Sequence, residues 1–228
     1  MAIDEQHKFG VHQRLLLTSK NNNLLPDILL MTATPIPRTL ELTTYGSMSV
    51  SKITEKPVGR QSIKTAAKPI TKLEETIISL KKTIKQNKKI YWVCPLIEES
   101  EKIDLAAAQQ RYEALQKCYP NNVLLIHGKM KSDERDEIMN KFKYGKTKIL
   151  VSTTVIEVGI DIPEATVMVI EHAERFGLSQ LHQLRGRVGR SSSQSSCLLL
   201  YQNPLGLNAK KRIEVLRGPQ GTLYGRNP

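Results

Sequence analysis

The sequence predicts an α/β fold: a mostly parallel sheet covered on both faces by helices, preceded by part of a second lobe of the same kind. Three observations carry that prediction. Short runs of Ile, Leu and Val recur along the chain, separated by stretches with helical spacing. These runs are apolar throughout rather than alternating, which suits strands buried on both sides. Hydrophobic residues make up 39% of the chain and aromatics only 5%, the balance of an aliphatic core and not of a disordered or membranous chain.

Taken in order, Ala2-Ile3 followed by Asp4-Glu5 reads as the end of a buried strand and the loop after it. A helical stretch over 11–25 contains Asn21-Asn22-Asn23, and the apolar run from Asp27 to Met31 predicts a strand. Residues 32–37 form a turn and 38–45 a helix. Pro57-Val58-Gly59-Arg60 breaks the pattern and marks a domain boundary. Beyond it, strands are predicted over 63–67, 89–94, 123–126, 148–152, 167–170 and 197–201. Helices are predicted over 73–86, 105–118, 132–142 and 178–184. Leu73, Ile77, Leu80 and Ile84 share one helical face. Ser132 is the expected N-cap of its helix, with Arg135 where a capping box would carry Glu or Gln. Strands alternating with helices imply βαβ units and a parallel sheet. No solenoid repeat is present, and 191–196 is a short Ser-rich loop.

Charge and cysteines narrow the class. A net charge of +12 points to a polyanionic partner. Cys94, Cys118 and Cys197 are odd in number and lack CxxC spacing, so buried free thiols in a reducing cytoplasm are expected and zinc is not. No apolar run reaches the roughly 18 residues of a membrane span, and no secretory signal pattern opens the chain. The expected setting is cytoplasmic, with no membrane partner.

Four segments carry chemistry. In Gln183-Leu184-Arg185-Gly186-Arg187-Val188-Gly189-Arg190, two arginines three apart on an expected short helix suit phosphate, because guanidinium forks match phosphoryl oxygens and stay charged. Such arginines neutralise charge developing on a γ-phosphate. Asp4-Glu5-Gln6-His7 follows a strand's carboxyl end, where Asp4 would hold Mg²⁺ and Glu5 would orient the attacking water. His7 would sense the γ-phosphate or the adjoining motif. In Thr153-Thr154-Val155-Ile156-Glu157-Val158-Gly159-Ile160-Asp161, the hydroxyls of Thr153 and Thr154 and a helix N-terminus can hold a DNA phosphate. Gly159 permits close backbone approach, and Asp161 can reach a ribose. His127-Gly128-Lys129-Met130 sits at a strand end. A phosphate loop, Gly-x-x-x-x-Gly-Lys-Ser/Thr, does not occur in these residues.

The four segments, with Thr32-Ala33-Thr34, resemble motifs of the superfamily-two helicases. Asp-Glu-Gln-His is similar to motif II and Thr32-Ala33-Thr34 to motif III. The Thr153–Asp161 run is similar to motif V, and Gln183–Arg190 to motif VI. The runs at 4–14, 32–40, 94–102, 156–170 and 171–190 together resemble the RecG family, ATP-dependent translocases of branched DNA. The resemblance covers residues 1–217. It implies a RecA-like lobe over 58–205, the end of a first motor lobe over 1–57, and a tail over 206–228 that begins as a helix.

It also implies ATP and Mg²⁺ as cofactors, bound where Asp4 and Glu5 face Arg187 and Arg190, with Gln183, Gly159 and Asp161 on the nucleotide. Thr34, His127, Gly128, Lys129, Thr153 and Thr154 would contact DNA. Forks and Holliday junctions are the implied partners, for a monomer working in recombination and repair. With no phosphate loop, the chain is expected to be inactive alone and to share its nucleotide with an N-terminal half; whether that half is a separately encoded partner is left open.

Three alternatives remain open. One is a non-catalytic DNA-binding lobe using Lys129, Lys131 and the lysines of 141–148. Another is a transcription-repair coupling factor, which shares Pro35–Leu40 but is not expected to carry Cys94–Glu101. The third is a gene fragment without function. Residues 212–228 resemble the plug signature of TonB-dependent receptors, with the switch near Arg217 and no receptor function expected.

Overall fold

The computed structural model describes residues 2–4, 27, 29–31, 49, 51, 53, 61–95, 101–153 and 162–218. The expected helices over 11–25 and 38–45, the turn over 32–37 and the break at 57–60 lie outside the described residues. The chain divides into two compact units, Met1–Glu55 and Lys56–Pro228. In the first, β1 (Ala2–Asp4) and β2 (Leu29–Met31) pair in parallel, with Asp4 opposite Met31.

The second unit is built on six parallel strands. These are β3 (Lys64–Pro69), β4 (Lys89–Val93), β5 (Val123–Ile126), β6 (Ile149–Ser152), β7 (Ala165–Ile170) and β8 (Ser196–Tyr201), in the spatial order β3-β8-β7-β4-β6-β5. Among the described residues five helices cover them: α1 (Leu73–Lys85), α2 (Glu101–Cys118), α3 (Ser132–Tyr144), α4 (Leu178–Arg185) and α5 (Leu207–Arg217). This is the doubly covered parallel sheet that the apolar runs predicted.

Alternate residues of each strand feed two cores. Tyr91, Val93, Ile126, Leu150, Met168, Ile170 and Leu199 meet Phe142 of α3, Leu181 of α4 and Leu216 of α5. Ile90, Trp92, Val123, Val151, Val169 and Leu200 meet Ile77 and Leu80 of α1 and Leu115 of α2 on the opposite face. A one-residue slip would exchange the two faces, so burial on both sides sets the register. Lys89, buried at the start of β4, donates its ammonium hydrogens to the Phe142 and Lys143 carbonyls and caps α3 from beneath.

The sequence-based expectations need four corrections. Lys131, not Ser132, is the N-cap of α3, and Glu134 reaches back to accept the Lys131 N–H at 3.1 Å, which is one half of a capping box, since a lysine side chain cannot accept the other bond. Helix α2 begins at Glu101, ahead of the expected Leu105, because its polar first turn carries no apolar periodicity. Cys118 is exposed at the end of α2, whereas Cys94 and Cys197 are buried. Arg187 and Arg190 lie beyond α4, on a turn described below. Among the described residues no helix is long and apolar enough to cross a membrane.

Candidate functional site

The strand order changes direction between neighbouring β4 and β7. The chain leaves β4 for β5 on one side and leaves β7 for β8 on the other. Open α/β sheets place ligands outside the carboxyl ends of such strands. The residues that close β5, β6, β4 and β7 therefore define the candidate site.

At β5 and β6, Ile126 pairs with Ser152, and the Thr153 N–H donates to the Ile126 carbonyl at 3.4 Å. His127 and Thr153 consequently emerge side by side. His127 Nδ1, Ser152 Oγ and Thr153 Oγ1 are buried without a hydrogen-bond partner among the described residues. An unpaired buried polar group costs about 1–3 kcal/mol, so three of them side by side favour a polar partner here, water or ligand. Burial, and then Lys129, hold the His127 pKa below its usual value, with Glu134 opposing. Gly128 and Lys129 follow as an exposed turn before α3.

At β4 and β7 the crevice is filled by the protein itself. Glu171, 6% exposed, follows β7 directly. Its Oε1 accepts from Trp92 Nε1 at 2.5 Å and from Arg111 Nε at 2.5 Å, and its Oε2 accepts from Arg111 Nη2 at 3.2 Å. The Arg111 guanidinium also lies 5.7 Å from the Trp92 ring centre. This bidentate pair ties α2 to the ends of two central strands. Cys94 Sγ stands 4.0 Å from the same carboxylate, and burial first, then Glu171, pushes its thiol pKa well up. Glu171 opens the run 171–190, but no motif assigned a role to it or to Arg111; the available signal was a carboxylate closing an otherwise apolar strand. His172, next in line, takes the left-handed conformation at φ 48° and pairs with Glu174 at 3.1 Å.

Helix α4 ends at Arg185, where the Gly186 N–H still donates to His182. The chain then tightens, with Arg187 N–H donating to Leu184 and Val188 N–H to Arg185. Gly189 at φ 75° stops any continuation, which is why the arginine pair stands on a turn and not on the helix. Arg190 is exposed, and its Nε donates to the Gly186 carbonyl at 3.3 Å. Gln183 is part-buried on α4.

Behind this turn, Arg185 donates to the Leu216 carbonyl at 3.4 Å and lies 3.2 Å from His182 Nδ1. Arg212 donates to the Glu174 carbonyl at 2.8 Å. The first binds α5 to the element that bears the arginines, and the second binds it to the short 3₁₀ turn Ala173–Arg175 after β7. Burial, then Arg185, lower the His182 pKa from 6.5 to about 4. Between those values the unfolded chain binds more protons than the folded one, so stability is complete above pH 6.5 and falls as pH drops toward 4. For a ring that keeps part of its face in water the loss is about 2 kcal/mol. Urea unfolding at pH 7 and pH 4.5 measures it, and His182→Asn, which keeps an acceptor for Arg185, is expected to flatten the profile.

In the first unit Asp4 is the last residue of β1, one residue earlier than the position past the strand end that the sequence suggested. Glu5, His7, Thr34, Thr154, Gly159 and Asp161 lie outside the described residues. Among the described residues no group of three His, Cys, Asp or Glu side chains is placed to hold a metal.

The sheet edge, the arginine turn and the bracing helices can be set beside known proteins. The profile of the helicase conserved C-terminal domain matches residues 70–192, more than half of the chain. The chain belongs to the helicase conserved C-terminal domain family. Within that family it is similar to the ATP-dependent DNA helicase RecG of Acidithiobacillus ferridurans, 50% identical over 95% of this chain and 32% of the relative. The RecG of Escherichia coli K12 is likewise 50% identical over 95% and 32%, and that of Aquifex aeolicus 51% over 95% and 27%. The chain thus spans about a third of the curated relatives it matches.

A structure of RecG bound to a three-way DNA junction superimposes with a TM-score of 0.76 and 39% identity, covering 96% of this chain and 28% of that one. Yeast Dbp5 L327V bound to RNA and ADP BeF3 gives 0.65 at 17% identity over 95% of this chain and 56% of that one, a likeness of fold alone. The helicase C-terminal lobe is therefore the RecA-like sheet the sequence predicted.

Proposed function

We propose that this chain is the second motor lobe, with the adjoining end of the first, of an ATP-driven DNA translocase of the RecG kind that remodels forks and Holliday junctions in recombination and repair. Similarity at about half of all positions to RecG over nearly the whole chain is the observation that carries this reading. The unpaired polar groups of His127 and Thr153, beside Lys129 and a net charge of +12, support DNA phosphate as the ligand of the β5–β6 edge. Thr34, Gly128 and Thr154 complete that set.

The nucleotide-handling residues divide between the units. Asp4, at the carboxyl end of β1, suits Mg²⁺, which commonly takes one or two carboxylates with waters and phosphate oxygens and needs no larger cluster. Glu5 orients water and His7 reports on the γ-phosphate. Arg187 and Arg190 supply positive charge to the transferred phosphoryl group, and Gln183, Gly159 and Asp161 hold the nucleotide. ATP bound there would supply the driving reaction. These 228 residues contain no phosphate loop, so the β and γ phosphates are cradled by residues outside them. The protein works in the cytoplasm as a monomer, together with an N-terminal motor segment.

The reading is tested by ATP turnover of the 228-residue chain with magnesium and forked DNA. No turnover above background is expected. Turnover abolished by Glu5→Gln would show that the chain carries a phosphate cradle of its own and overturn the division of labour.

A further inference from the structure

We infer that the amino ends of β4 and β6, around Lys88, Lys146 and Lys148, form a second surface for the DNA phosphate backbone, at the pole of the sheet opposite His127 and Thr153. That the polyanion is DNA rests on the function proposed above; the position of the surface does not. Residues 81–89 hold five lysines and residues 141–148 four, with no Asp or Glu in either run. The first run ends α1 and enters β4, and the second ends α3 and enters β6. Strands β4 and β6 are parallel neighbours, so the fold brings two runs distant in sequence to one end of the sheet. Lys129 precedes α3, and the second run closes it. The 13 residues of that helix span about 20 Å, so lysines that share one stretch of sequence belong to opposite poles.

The backbone fixes the arrangement. Buried Lys89 donates to the Phe142 and Lys143 carbonyls, which pins the end of α3 to the start of β4. The Ile90 N–H donates to the Lys148 carbonyl at 2.8 Å, and the Lys88 N–H to the Thr83 carbonyl at 3.2 Å. Helix ends account for some of the charge, since Lys82, Lys85, Lys141 and Lys143 lie in last turns, where cations complement exposed carbonyls. Lys88, Lys146 and Lys148 lie past those turns. Among the described residues no ion pair joins these three to a carboxylate. The carboxylate acting on this pole is Glu164, exposed just before β7. Burial, then Lys148, lower the Lys89 pKa, and Glu164 opposes them. Like charges held this close repel, and a polyanion relieves the repulsion while releasing counterions. Lysine ammoniums are point charges without a fork. Spread over an open surface, they suit a backbone read without regard to sequence and not a small anion.

The experiment measures the affinity of the full chain for a short fluorescently labelled DNA duplex, by anisotropy across a salt series. The triple variant Lys88→Gln, Lys146→Gln, Lys148→Gln should bind about tenfold or more weakly at about 100 mM salt. Its slope of log affinity against log salt should fall by about 0.9 for each lysine in contact. Glu164→Gln should do the reverse and raise affinity about twofold, a gain that misfolding cannot imitate.

Trp92 fluorescence confirms that each variant is folded. Unchanged affinity and slope in the triple variant, with binding weakened in Lys129→Gln, would overturn this inference and leave the β5–β6 edge standing. Loss in the triple variant and none in Lys129→Gln would uphold the inference and count against that edge. Polyglutamate that displaces the labelled duplex as effectively as unlabelled duplex of equal charge would overturn the choice of DNA. Failure of the parent to bind duplex at any salt concentration would overturn the DNA-binding reading itself, a separate result.

Discussion

Glu171→Leu is expected to destabilise the lobe by about 3–5 kcal/mol, enough to unfold many domains of this size. The carboxylate receives three donors, and its removal leaves the Arg111 guanidinium and the Trp92 indole N–H without their acceptor. Most of that cost belongs to the stranded cation and little to the pair's net attraction. Replacing both partners with apolar side chains is often neutral. The double variant Glu171→Leu with Arg111→Met should therefore recover most of the loss, and Arg111→Met alone should cost less than Glu171→Leu. Urea unfolding reads all three, with Trp92, the only tryptophan, as the probe. A double variant as unstable as the sum of the singles would show that the pair contributes through packing and not through charge.

Gly189→Ala is expected to cost about 3 kcal/mol and to disturb the arginine turn. An alanine at φ 75° is strained by about 1–2 kcal/mol. Its Cβ would also stand 2.8 Å from Ile63 Cγ1, a contact that forces a shift of similar cost. Gly186→Ala is the control. That residue is right-handed at φ −67°, and a Cβ there meets only the His182 and Gln183 carbonyls at 3.3 and 3.4 Å. A loss below about 1 kcal/mol is expected. The two glycines look equivalent in sequence, and thermal unfolding of the two variants separates them. Equal losses would mean that the turn after α4 is not held in its left-handed form.

The contrast between these glycines shows what the sequence conveys and what it withholds. Strands β4 to β8 were legible because burial on both faces makes them continuous apolar runs. Helix α1 was legible because Leu73, Ile77 and Leu80 repeat at helical spacing. The turn after α4 was not, since nothing in the motif marks Gly189 as left-handed or Ile63 as its distant neighbour. Nor was the Glu171–Arg111 pair: a long-range partnership leaves no periodicity, and the run 171–190 that opens with Glu171 gave no sign of its partner. The first residues of α2 escaped because a polar first turn has no apolar stripe. For the site, motif chemistry named His127, Thr153, Arg187 and Arg190. The fold added that His127 and Thr153 emerge together, and that α5 is tied to the arginine-bearing element through Arg185.

The most direct measurement is the affinity of the 228-residue chain for a three-way DNA junction over 50–200 mM salt, with the roughly tenfold or greater span that several phosphate contacts produce as the quantity of interest. A lobe built to hold DNA phosphates through His127, Lys129 and Thr153 should bind the junction and lose affinity steeply and linearly in log salt. Affinity that stays flat across that range, or binding that is absent even at the low-salt end, would contradict a DNA-gripping role for this lobe.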